Sequence, residues 1–430
     1  MKRYISFDFI KGVGILGVVC FHVLNVAFSE EVDKIIAGDA HILLLLLGVV
    51  LLYLGYFDGL FILMSAIGNT ISTRRQWNKN IEIMEKKPAA LKVFKNQAIR
   101  GFIILVFGFI SEGLLNGLLL DVILGESDVW LSLGNELFRI NVLQTVGIAT
   151  IIISGIYVYC LYKGWSTKKI LILSLTLSII VLLLRPLVVE LGNAYMVDFR
   201  SPWNNWINRD LWTNLTYIII VPFINRFTPL VPFFSLSLFG LIAGSYIGEG
   251  RITKSFLKWS YLSALFLFIT AIISGLILGF DLDGDNLFMF SFVAAGEIAL
   301  GTLILHLVDY RGKAEKFGKK TIFFRRFNML LLTIWCFQWV TIFPVLIFDA
   351  ITGWGALDGK LNGYQLLLLL AIVVLFWYII VKLWEKVEFK GSFEWLTITI
   401  LSKGRADAGD RLKIQDILYN PESIVIREND

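Results

Sequence analysis

Residues 7–28 read FDFIKGVGILGVVCFHVLNVAF, an apolar run interrupted by Asp8, Lys11 and His22. A helix crosses roughly 30 Å of hydrocarbon with about 20 apolar residues, so this stretch is long enough to span a bilayer. Met1-Lys2-Arg3 in front of it gives the look of a secretory signal. The run is longer than a typical signal core, lacks a small-x-small cleavage pattern and carries three ionisable groups, so it reads as a retained first span.

The same pattern recurs along the chain. Of 430 residues 57% are hydrophobic and 17% charged, where a soluble domain carries about 25% charged residues. Further candidate spans lie within Ile42–Ser72 and at Ile99–Leu120, Ile140–Tyr162, Ile170–Val189, Pro229–Ile247, Phe256–Phe280, Leu287–Val308, Phe327–Phe348 and Tyr364–Trp384. The expected fold class is therefore an all-α polytopic membrane protein, a bundle of ten transmembrane helices with eleven as the upper bound. Leu211–Phe227 is short and cut by Pro222, which fits a half-span or an interfacial helix. Residues 1–395 form the expected membrane domain and 396–430 a short tail, with a helical turn or two over Arg411–Leu418.

Basic residues collect in alternate loops: Lys2 and Arg3, the stretch from Arg74 to Arg100, Lys163 to Lys169, Arg251 to Lys258, and Arg311 to Arg326. The intervening loops are mostly acidic, with Glu30 to Asp39, Asp121 to Asp128, Asp281 to Asp285, and Asp349 and Asp358. Since positive loops stay inside, the pattern places both termini in the cytoplasm of a cell carrying the protein in its inner (cell) membrane. No internal repeat stands out. A net charge of +5 without an aromatic-interleaved basic stripe leaves no nucleic-acid partner implied. Cys20, Cys160 and Cys336 are far apart in apolar runs, against both a disulfide framework and a metal site, and no metal is expected.

Ionisable groups inside spans are costly and mark candidate sites. Asp8 and Lys11 are one helical turn apart, and His22 lies 11 residues beyond Lys11, about 16 Å along the same face. The three form one polar stripe. The plainer alternative is that Lys11 snorkels, Asp8 caps the helix and His22 bonds a neighbouring helix. Glu112 and Asn116 share a face of the third span, and His306 in the eighth reads as a packing histidine, with a role at a cofactor entrance as the alternative. Asp281 to Asn286 has a calcium-loop look, but Phe292 stands where a bidentate carboxylate is required, so it reads as a solvated turn.

Ser6 to His22, with Asp8-x-x-Lys11-Gly12 followed by an apolar stretch ending in His22, resembles the opening of integral-membrane acyltransferases. These are the acyltransferase-three family, heparan-α-glucosaminide N-acetyltransferase and the YeiB-like membrane proteins. Asp58-Gly59-Leu60-Phe61 through Gly68 resembles the second-span run of the glucosaminide enzymes, and Arg139 to Gly147 their Arg-Ile-x-x-Val-Leu-Gln-x-x-Gly segment. Gly391-Ser392-Phe393-Glu394-Trp395 resembles the Gly-Pro-Leu-Glu-Trp that closes YeiB-like proteins. One departure is Lys11, where the family has Arg, which keeps the charge and loses the bidentate fork.

The resemblance implies transfer of an acyl group, most simply acetyl, from cytoplasmic acyl-CoA to a hydroxyl or amine of a carbohydrate or glycolipid at or beyond the outer face. Histidine serves such chemistry as a base near neutral pH or as an acyl carrier. His22 is the first candidate, His41 the reserve, and Asp58 a residue to orient the imidazole. Lys11 with Asp8, Arg100, Arg74 and Arg75 are candidates for holding acyl-CoA, although loop topology alone accounts for Arg74 and Arg75. Arg139, Asn141 and Gln144 at the start of the fourth span, and Trp203 in an outer loop, are candidates for the acceptor. The expected partners are the lipid bilayer, acyl-CoA and a carbohydrate or lipid-linked acceptor; a homodimer is compatible with the pattern. A proton-coupled transporter or flippase using the same intramembrane polar groups is the competing class, and a non-catalytic receptor the third.

Overall fold

The computed structural model describes residues 4–27, 53, 58–119, 140–195, 209–224, 228–250, 252–279, 287–402 and 414–419. His41, Arg139, Trp203 and most of the apolar stretch from Ile42 to Phe57 lie outside them.

In chain order the helices are α1 (Ile5–Ala27), α2 (Asp58–Ile81), α3 (Lys86–Phe109, running on as a π-helical stretch Ile110–Leu119), α4 (Val142–Tyr162), α5 (Thr167–Tyr195), α6 (Leu211–Ile224), α7 (Leu230–Gly248), α8 (Lys254–Leu278) and α9 (Leu287–Leu305, ending in the π turn His306–Tyr310). They continue as α10 (Ala314–Lys320), α11 (Ile322–Met329), α12 (Leu331–Cys336), the 3₁₀ turn Gln338–Thr341, α13 (Ile342–Thr352), α14 (Gly363–Glu385), α15 (Phe393–Leu401) and the π turn Gln415–Tyr419. No strand occurs among the described residues.

By length and composition eight of the described helices can cross a membrane: α1, α3, α4, α5, α7, α8, α9 and α14. The chain is thus an all-α multi-pass membrane protein, as hydrophobic run length requires. Two expected spans take a different form. The stretch around Phe327–Phe348 is interrupted at Leu330 (φ −119°, ψ 26°) and at Phe337 (φ −105°, ψ 16°), giving short pieces in place of one helix. The third span begins at Lys86, well before Ile99, because Lys86 to Arg100 carries no residue that ends a helix after Pro88 in the first turn.

Helix starts follow local chemistry. Asn141 and Asn362 are N-caps of α4 and α14, each in a capping box with the glutamine three residues on, Gln144 and Gln365. Thr253 and Ser392 cap α8 and α15 through hydrogen bonds from Phe256 N (3.1 Å) and Trp395 N (3.1 Å). Away from their ends, α5 and α8 expose mostly apolar side chains: Ile179, Leu183 and Leu187 on one, Phe266, Ile273, Leu276 and Ile277 on the other. Faces of that composition suit hydrocarbon as the solvent.

The chain divides into two compact units, one of Met1–Phe57 with Gly312–Ile424 and one of Asp58–Arg311 with Val425–Asp430. In the first, α1 packs on α10, α11, α12 and α14. Phe9 meets the rings of Phe317 and Phe324 edge-on at 5.0 and 5.4 Å, and Gly12 lets α1 lie against the Phe324 carbonyl. In the second, α2 is the hub and packs on α3, α4, α7 and α9. Gly240-x-x-x-Gly244-x-x-x-Gly248 on α7 faces it. A Cβ on Gly240 would sit 2.5 Å from Ala66 Cβ, and one on Gly244 would sit 2.6 Å from Thr70 Cβ. Gly101 of α3 and Gly147 of α4 likewise lie against each other's carbonyls, at 2.7 and 2.8 Å from the added carbons. Small residues are how membrane helices bring their backbones together.

This geometry separates the three glycines of α7. Gly240→Ala and Gly244→Ala are expected to destabilise the protein by about 1–3 kcal/mol through overpacking. Gly248→Ala, whose new carbon would meet Arg74 Cβ at an ordinary 3.7 Å, should be close to neutral. Thermal unfolding of the three purified variants in detergent makes the comparison.

Candidate functional site

Helix α1 carries the stripe read from the sequence. It is continuous from Ile5 to Ala27, so Asp8, Lys11 and His22 keep their helical register. Asp8 is buried (8% exposed) and accepts a hydrogen bond from Asn328 Nδ2 of α11 at 2.9 Å. Lys11 is half-buried, and His22 is exposed beside Phe21. The imidazole is therefore accessible on a helix whose neighbouring positions Val18, Val19, Val23 and Leu24 are buried. Asn328, which fixes Asp8, gives no signal in the sequence, because only the packing of α1 on α11 brings the two together.

In the other unit the candidates fall into separate places. Asp58 opens α2 and is half-buried. Arg74, four turns along, pairs with Glu249 at 3.2 Å, and Thr167 donates to the same Glu249 oxygen at 2.8 Å. This ties α2, α5 and the end of α7 together. Arg75 is exposed. Arg100 on α3 is half-buried, with Nη1 3.5 Å from Ser72 Oγ. Asn141 and Gln144 serve as the N-cap pair of α4: Asn141 Oδ1 accepts from Val142 N at 2.9 Å and Gln144 Oε1 from Asn141 N at 3.2 Å. Gln144 is fully buried. His306 stands among rings, with Tyr310 at 5.5 Å and Tyr261 at 6.5 Å, as a packing histidine does. Glu112 is buried in the π-helical extension of α3. Among the described residues no three His, Cys, Asp or Glu side chains gather as a metal site would need.

The segment Gly391 to Trp395 has a mechanical role that spacing alone does not reveal. Glu394 reaches the break between α11 and α12, where Oε1 accepts from Leu332 N at 2.5 Å and Thr333 N at 3.3 Å, and Oε2 accepts from Thr333 Oγ1 at 2.5 Å. Phe393 N donates in turn to Thr333 Oγ1 at 2.9 Å. The carboxylate thus satisfies N–H groups that a helix start leaves open. Burial pushes the Glu394 carboxyl above the usual carboxylate range, against the pull of these hydrogen bonds. A second latch holds the π turn at 415–419. Fully buried Arg325 donates from Nη1 to Gly318 O (3.0 Å) and Leu418 O (3.2 Å), and from Nη2 to Ile417 O. Arg326 bonds Glu385 and the Tyr419 hydroxyl, each at 3.0 Å, while that hydroxyl donates to Glu385.

Comparison with family models, with curated proteins and with solved structures returned no match.

Two outcomes follow for the latches. Glu394→Ala leaves the Leu332 N–H and the Thr333 hydroxyl without their close acceptors and should cost about 2–6 kcal/mol at roughly 1–3 per orphaned group, with Thr333→Ser retaining most of the stability. Tyr419→Phe removes the hydroxyl shared by Arg326 and Glu385, so amide hydrogen exchange across residues 415–419 should quicken while α1 and α14 keep their protection.

Proposed function

We propose that the chain is a membrane-bound acyltransferase that moves an acetyl or similar acyl group from cytoplasmic acyl-CoA to a hydroxyl or amine of a carbohydrate or lipid-linked acceptor. The observation that carries this reading is the face of α1. There an accessible imidazole, His22, stands in helical register with Lys11 and with Asp8, whose carboxylate Asn328 holds in place. An imidazole on a rigid helix suits a base that removes the acceptor's proton, or a nucleophile that carries the acyl group between donor and acceptor. In either route the acceptor's oxygen or nitrogen bonds the acyl carbon, the thioester C–S bond breaks, and the acceptor's proton ends on the CoA thiol. Lys11 supplies a cation for the donor's phosphates about 16 Å along the helix from the imidazole. The order of the motifs from Asp8 to Trp395, resembling that of the integral-membrane acyltransferases, supports the same reading, as does the alternation of basic and acidic loops, which implies cytoplasmic termini.

Purified protein in detergent, given radiolabelled acetyl-CoA, is expected to bind it and to hydrolyse it slowly in the absence of acceptor. His22→Ala should lower turnover by about 10²- to 10⁴-fold, the usual worth of a positioned acid–base group, with little change in binding. Lys11→Ala should instead weaken binding. If the wild type neither binds nor turns over any acyl-CoA, the enzyme reading is wrong. If His41→Ala alone abolishes activity, the histidine is misassigned.

A further inference from the structure

Glu297 lies within span α9 and is fully buried. Its Oε1 accepts a hydrogen bond from Leu60 N, in the first turn of α2, at 2.7 Å. Its Oε2 has no hydrogen-bond partner among the described residues. The carboxyl occupies the space over Gly59, where a Cβ would come within 2.6 Å of Oε2 and 2.9 Å of Oε1. Leu236 Cδ1 of α7, at 2.8 Å from the same point, makes the wall apolar.

The charges around it sharpen the problem. Asp58 is the residue before Gly59, the glycine over which the Glu297 carboxyl lies, so a second carboxyl belongs to the same helix start. On the helices packed against α9, α8 carries Lys254, Lys258 and Tyr261, with Tyr261 beside His306 at the far end of α9. Tyr246 on α7 stands beside Phe256, and Arg74, Arg75 and Lys79 sit four to six turns along α2 from Asp58. Of these groups, Asp58 is the one at the helix start that Glu297 meets. An ionised carboxylate in an apolar interior costs several kcal/mol unless a cation or several donors meet it. Glu297 has one backbone donor, the partial positive charge of the α2 N-terminus and a second carboxylate nearby. That arrangement favours one protonated and one ionised carboxyl over two negative charges.

We propose that Asp58 and Glu297 form a proton-binding site at the start of α2, with Glu297 as its buried member and half-buried Asp58 as the side from which the proton comes and goes. Proton uptake neutralises one carboxyl and so alters the packing of α2 on α9. The site lies within the unit of Asp58–Arg311 and does not depend on acyl transfer at α1, so it stands or falls separately from that function.

The test is infrared difference spectroscopy of the full-length protein in lipid, following the carbonyl stretch of a protonated carboxylic acid as pH changes. A band amounting to one carboxyl per molecule is expected to disappear with rising pH, about tenfold per pH unit once past its midpoint as for a single proton. Glu297→Gln should remove it. Asp58→Asn should move its midpoint to lower pH, because the nearby like charge favouring the bound proton is gone; this variant, at a half-buried position, also serves if Glu297→Gln fails to fold. The proposal is overturned if no protonated-carboxyl band changes with pH. It is equally overturned if the band is unaffected by Asp58→Asn. Loss of the band at fixed pH when sodium chloride replaces choline chloride would assign the site to a metal cation in place of the proton.

Discussion

Within a bilayer apolar side chains gain little by leaving lipid for one another, so helices are held by close backbone approach and by polar contacts. The contact of α2 with α7 is the clearest case here. Gly240 and Gly244 let Ala66 and Thr70 reach the α7 backbone, and the rest of that unit is arranged around the pair. Once α2 is fixed, Asn69 lies where its Nδ2 donates to Ser154 Oγ of α4 at 2.8 Å, Arg74 meets Glu249, and the first turn of α2 presents Leu60 N to Glu297. Moving α2 outward by the width of a methyl group would loosen all three contacts together.

The same rule that every buried polar group needs a partner explains the other unit. The chain from Ile322 to Thr352 changes direction at Leu330 and Phe337, and each break opens backbone groups to an apolar surrounding. Glu394 covers the first break, and Trp377 Nε1 donates to Thr341 Oγ1 at 3.0 Å just after the second. The turn that delivers Glu394 includes Glu388 and Phe389 at φ 57° and 55°, a backbone region L-residues adopt only when their surroundings compel it. Phe389 is fully buried, and Trp384 Nε1 closes the turn on Lys390 O at 2.8 Å. A segment whose spelling resembles a family signature is, in this chain, a clamp on a broken helix, which also holds α11 and its Asn328 in place against Asp8.

Run length and composition placed most helices within a few residues, because a span must be about 20 residues long and apolar whatever its neighbours. The capping pair Asn141 and Gln144 was visible as a polar cluster at a helix start, and its spacing is that of a capping box as much as that of a binding site. The glycine series on α7 was also present in the spelling, at intervals of four. Glu297 was visible only as one acidic residue in an apolar run, since the Leu60 amide that meets it is 237 positions away.

What residue order settled, then, was membrane class, the register of Asp8, Lys11 and His22 on one helix, and where most helices begin and end. These are short-range properties, set by hydropathy over one span and by hydrogen bonds within one turn. Which polar groups find partners was decided by the tertiary structure alone. Asn328 on Asp8, Glu394 on the α12 amides, Arg326 on Glu385 and Tyr419, and Leu60 on Glu297 all join residues dozens to hundreds of positions apart. In a medium that offers no water to an unpaired donor or acceptor, those meetings separate a costly buried charge from a working one.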